Sequence, residues 1–148
     1  MSRHPILRLA ATFAVIVAAG TGIVVWQSQP RQQAEPPATS PTGLVLPQFS
    51  ARAIAGKVAF DANCAACHGV NASGTNQGPP LVHPIYNPGH HADAAFYRAA
   101  AYGVRQHHWP FGNMPPQSQM TREQMDDIIR YVRELQEANG ITAQPHKM

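Results

Sequence analysis

The most regular spacing of apolar positions lies near the C-terminus, where Met125, Ile128, Ile129, Val132 and Leu135 recur at three and four residues. That period is one face of an amphipathic α-helix. Thr121 and Gln124 before it make a capping box, so the helix is predicted to open at residue 122. Tyr131 belongs beside the stripe. Glu123, Asp126, Asp127, Glu134 and Glu137 fall on the same helix and read as its solvated face. A second helix is predicted from an N-cap at Ser50 through Ala53, Ile54, Lys57, Val58 and Phe60, with Gly56 and Phe60 sharing a face because they stand four apart. A third, short helix runs from Asp93 as N-cap to Gly103 as C-cap, with Phe96, Ala99 and Ala100 on one side. Residues 69–78 are rich in Gly, Asn and Ser and read as a loop, and residues 104–116 hold too many prolines for a helix.

The N-terminal third follows different rules. Leu9 to Trp26 carries no charge and is preceded by Arg3, His4 and Arg8, and an apolar run of this length nearly spans a bilayer core as a helix. A signal peptide with Ala18-Ala19-Gly20 as its cleavage site is the alternative, but its apolar region is usually shorter. Residues 9–26 are therefore expected to stay as a transmembrane anchor. The positive-inside rule puts residues 1–8 in the cytoplasm and exports the rest. Residues 27–49 include Pro30, Pro36, Pro37, Pro41 and Pro47 among polar and small residues, a composition expected to form an extended spacer. The domain proper is placed at 50–140, with a polar, loose tail at 141–148. The formal charge of +3 is spread along the chain, without the clustered basic face that nucleic-acid binding requires.

Candidate chemistry centres on Cys64-Ala65-Ala66-Cys67-His68, which holds the only two cysteines of the chain. Two thiols one helical turn apart can add across the two vinyl groups on one side of a haem, and the histidine behind them is carried under the iron as proximal ligand. Other readings use the same cysteines. A thioredoxin-like pair wants a βαβ setting, and no run rich in β-branched residues precedes Cys64. A zinc centre wants about four ligands, for which His83, His90 and His91 would have to serve. A disulfide across three residues would close almost no loop and stabilise little.

Three stretches, Cys64-Ala65-Ala66-Cys67-His68-Gly69, Gly78-Pro79-Pro80-Leu81 and Gly112-Asn113-Met114-Pro115-Pro116 ahead of the last helix, make residues from about Ser50 to Asn139 resemble the monohaem class I cytochromes c. The resemblance implies an all-α cytochrome c fold, a small helical domain around one covalently bound haem c, with His/Met ligation of its iron and one-electron transfer with redox partner proteins; enzymatic turnover is not implied. It also implies that the Pro79 carbonyl bonds the second ring nitrogen of His68, that Leu81 lies against the haem, and that the Gly56/Phe60 face crosses the C-terminal helix; Trp109, in the 104–116 segment read as the distal loop, is a further candidate haem-binding residue. For the sixth ligand, Met125 is explained by the apolar stripe and Met120 by its place just before the Thr121 cap. Met114 is held extended by the prolines after it and is the expected ligand. His107 and His108, in the same loop, are the competing candidates.

In bacteria such haems are attached outside the cytoplasmic membrane, a point the resemblance supplies and the predicted export agrees with. The expectation is a single-pass protein of the bacterial cytoplasmic membrane with its haem domain in the periplasm, acting as a tethered electron carrier. A haem enzyme or sensor with a displaceable distal ligand, or a fixed subunit of an oxidase or dehydrogenase complex, are the alternatives. The adjacent pairs His90-His91 and His107-His108 read as loop residues facing haem propionates or solvent, with a copper or zinc site built from both pairs as the sharper reading. Consecutive residues point apart, so neither pair is expected to chelate alone.

Overall fold

The computed structural model describes residues 38–145. The uncharged run at 9–26 lies outside them, and among the described residues no helix is long and apolar enough to cross a membrane. Two strands, β1 (Ala38–Thr39) and β2 (Val45–Leu46), form a short antiparallel hairpin, followed by the helices α1 (Ala51–Asn63), α2 (Ala65–His68), α3 (Asp93–Tyr102) and α4 (Arg122–Ala138). Short 3-10 turns occupy Val70–Ala72 and Pro84–Tyr86.

The frame is the crossing of α1 over α4. Ser50 caps α1 by accepting from the Ala53 amide, and Thr121 and Gln124 complete their capping box on α4. The five stripe residues of α4 are buried together with Tyr131 and with Ala53 and Phe60 of α1. Gly56 lets the helices touch: a Cβ there would stand 1.9 Å from the Asp127 carbonyl oxygen, so the backbones meet where only glycine fits. The Tyr131 ring packs on Phe60 at 5.5 Å and on Phe49 at 5.2 Å, in tilted arrangements favoured by aromatic pairs. Polar bonds lock the crossing at its end, where Glu134 accepts from the Ser50 hydroxyl at 2.7 Å and the Ser50 amide at 3.0 Å.

Several expectations need correcting. Residues 38–49 are not a free spacer. Asn139 pins β2 by accepting from the Val45 amide and donating to the Val45 carbonyl, both at 2.9 Å, while Leu46 and Phe49 pack on the core. Asp93 is the first residue of α3 rather than its cap, which is Ala92; its carboxylate instead takes a hydrogen bond from Arg133 at 2.9 Å. The tail begins packed, because Ile141 is buried and its amide donates to the Gln136 carbonyl at 2.8 Å. Glu134 is not on a solvated face. It is buried beneath Ser50 and Arg130.

Candidate functional site

α1 delivers the two cysteines. It ends at Asn63 with the Cys64 amide still bonded to the Phe60 carbonyl, and the single turn of α2 sets the Cys67 and His68 amides on the Cys64 carbonyl at 3.1 and 2.9 Å. Gly69, at φ +77°, then turns the chain back; a Cβ there would lie 2.3 Å from the Gly74 carbonyl oxygen, so the loop demands glycine twice over. This reversal brings Pro79 to His68, whose Nδ1–H donates to the Pro79 carbonyl at 2.9 Å. The contact fixes the tautomer. With Nδ1 carrying the proton, Nε2 keeps its lone pair. Burial lowers the His68 pKa, against the opposing pull of the Pro79 hydrogen bond, and so favours the neutral ring that a metal requires.

These residues line a cavity of about 690 Å3, within the roughly 300–1,000 Å3 of cofactor sites. Cys64, Cys67, His68, Pro79 and Leu81 form one part of its wall, Phe96 and Ala99 of α3 another, and Phe60, Met125 and Ile128 belong to the helix crossing. The segment after α3 supplies Trp109 and Met114. Met114 is held at both ends of its peptide: its amide and carbonyl pair with Val104 at 3.0 Å each. Gly103, at φ +73°, makes that pairing possible, since a Cβ there would come within 2.5 Å of the Met114 carbonyl oxygen. Met120 and Met125 also reach the cavity, but both pack against the apolar core.

The lining suits a haem. It is largely apolar, carries two thiols and an imidazole side by side, and includes a buried donor, the Trp109 indole N–H, with no acceptor in hydrogen-bonding geometry among the described residues. Such a donor suits an acidic substituent of a bound group.

Arg133 organises this side of the molecule although nothing in the sequence singled it out. Its guanidinium donates to Asp93 on α3, to the Tyr86 carbonyl at 2.9 Å, to the His91 carbonyl at 2.5 Å and to Gln136 at 2.7 Å, and it lies over the Phe96 ring. α4 thereby holds both α3 and the 84–91 segment in place. The signal was a charged residue next to Val132 on the apolar side of a helix, legible only with the partners known.

The histidine pairs meet. His90, His91, His107 and His108 all reach the cavity, and the His90 and His108 rings lie 5.3 Å apart. His91 Nδ1–H donates to the Ile85 carbonyl at 2.7 Å, and His107 Nδ1–H to the Arg105 carbonyl at 2.8 Å.

A family model described as Cytochrome c matches residues 53–136. The chain belongs to the cytochrome c family. Members bind covalently attached haem c with its iron, and the Cys64/Cys67 spacing before His68 is the attachment pattern; the family's work is haem-based electron transfer with redox partners. No curated protein and no solved structure matches the chain.

Proposed function

We propose that this chain is a monohaem class I cytochrome, tethered by residues 9–26 to the bacterial cytoplasmic membrane, that carries single electrons between periplasmic redox partners with His68 and Met114 as iron ligands. The observation that carries this reading is one cavity lined jointly by Cys64, Cys67, His68 and Met114. The haem supplies the one-electron redox centre. Cys64 and Cys67 hold it to the chain, and the Pro79 hydrogen bond orients the His68 ring and raises its basicity as a ligand. Met114 offers a thioether from a backbone clamped to Val104, and thioether ligation raises the reduction potential relative to imidazole. Phe60, Leu81 and Phe96 give the cavity apolar walls. The carboxylates of Asp126, Asp127 and Glu134 are bonded to Arg52, Ser50 and Arg130 and do not line the cavity.

The test is the absorption spectrum of the oxidised protein. It should show the weak far-red sulfur-to-iron charge-transfer band, and Met114→Ala should abolish that band while opening the reduced iron to carbon monoxide. Survival of the band in Met114→Ala but not in Met120→Ala would move the ligand to Met120. Its absence from the wild type, with a spin-state change in His108→Ala, would replace methionine by histidine.

A further inference from the structure

Among the described residues, one group of three histidines brings its ring nitrogens close enough to share an ion, on two loops that also line the cavity. A turn carries His90 and His91, whose amides both bond to the Asn87 carbonyl at 3.0 and 2.8 Å. That turn overcomes the divergence of consecutive side chains and brings the two rings to 4.6 Å, edge to face. The opposite loop carries His108 and is closed at its base by the Val104–Met114 pairing and by Gln106 and Asn113, each side chain of which accepts from a backbone amide.

We propose that His90, His91 and His108 form a binding site for a divalent transition-metal cation of the Zn2+ or Cu2+ class. One ring nitrogen from each of the three lies within 4.8 Å of the others. Nε2 of His90 and Nε2 of His108 are hydrogen-bonded at 3.4 Å, and a cation would take the place of the proton they share. Two nitrogens bound tetrahedrally to one zinc at 2.0–2.1 Å are separated by about 3.3 Å, so this pair already has the spacing of two ligands on one ion. The third ligand is prepared by its own hydrogen bond. His91 Nδ1–H is spent on the Ile85 carbonyl, which fixes the tautomer and leaves Nε2 for the cation, the arrangement usual for metal-binding histidines. Bringing a pair at that 4.8 Å limit to ligand spacing takes about 1.5 Å of side-chain movement. Imidazole ligands select zinc and copper over magnesium or calcium. Three protein nitrogens leave the fourth position of a tetrahedral ion to water or to a donor from another molecule. A bound ion would tie the 87–91 turn to the 104–114 loop.

The experiment is calorimetric titration of the oxidised holoprotein with ZnCl2, beside electron paramagnetic resonance of the protein with one equivalent of Cu2+. One ion per chain is expected, with hyperfine structure from nitrogen ligands in the copper spectrum. His90→Gln and His108→Gln should each weaken zinc binding tenfold or more, whereas His107→Gln, which removes a ring outside the set, should stay within about threefold of wild type. Circular dichroism and the haem spectrum of each variant report whether it is folded. The proposal is overturned if folded holoprotein takes up no zinc, because the histidines then serve the haem alone. It is equally overturned if zinc binds the wild type and both Gln variants with the same affinity, or if His107→Gln weakens binding as much as they do.

Discussion

Glu134 shows what a single side chain contributes. Burial raises its pKa, but hydrogen bonds from the Ser50 hydroxyl and amide and from Arg130 more than offset this, and the net shift is below the ordinary value of 4.5. A depressed carboxylate stabilises the fold fully above its unfolded pKa, and that contribution is lost as pH falls through the folded value. Glu134→Gln should therefore cost about 1–2 kcal/mol at pH 7. Urea unfolding at pH 7 and pH 3 tests this; the gap between variant and wild type should close at the lower pH, and an undiminished gap would mean that charge is not its source.

At the scale of elements, the α1–α4 crossing is the joint on which the cavity hangs. Gly56→Ala would press a methyl group into the Asp127 peptide, where no flexible side chain can yield. The expected cost is about 2 kcal/mol or more, a fall in Tm of roughly 10 °C for a domain of this size, measurable by thermal unfolding; a change under about 3 °C would show that the helices are not held so closely. The helices themselves were legible because their signals are local: the apolar stripe from Met125 to Leu135, the Thr121 box and the Ser50 cap are each contained in a few consecutive residues. The cysteine-histidine motif was legible for the same reason. The β1–β2 hairpin was not, because its strands are two residues long and its anchor, Asn139, lies 94 residues away. Nor was the meeting of the histidine pairs, which depends on a turn at 87–91 and on a loop closed by the Val104–Met114 pairing.

For the whole molecule, a cavity of about 690 Å3 inside so short a chain means that the haem itself forms much of the core. Replacing Cys64 and Cys67 together by Ala should leave the haem extractable by acid acetone and the domain largely unfolded by circular dichroism; a well-folded double variant without haem would contradict this. The run at 9–26 is tested separately. Mass spectrometry should find it in the mature protein, in membranes washed with alkali, and a mature N-terminus at or after Thr21 would identify it as a cleaved signal. The Ser50–Glu134 bond carries a last consequence, because its partners are 84 residues apart in the chain. On the export proposed above the chain would cross the membrane from its N-terminal side, so Cys64, Cys67 and His68 would emerge before α4 is there to pack on α1. The attachment motif is thus presented on an open chain, and the domain can shut only when nearly all of it has been made. The interval between the appearance of the two thiols and that of α4 is the time in which whatever machinery joins the haem can reach both.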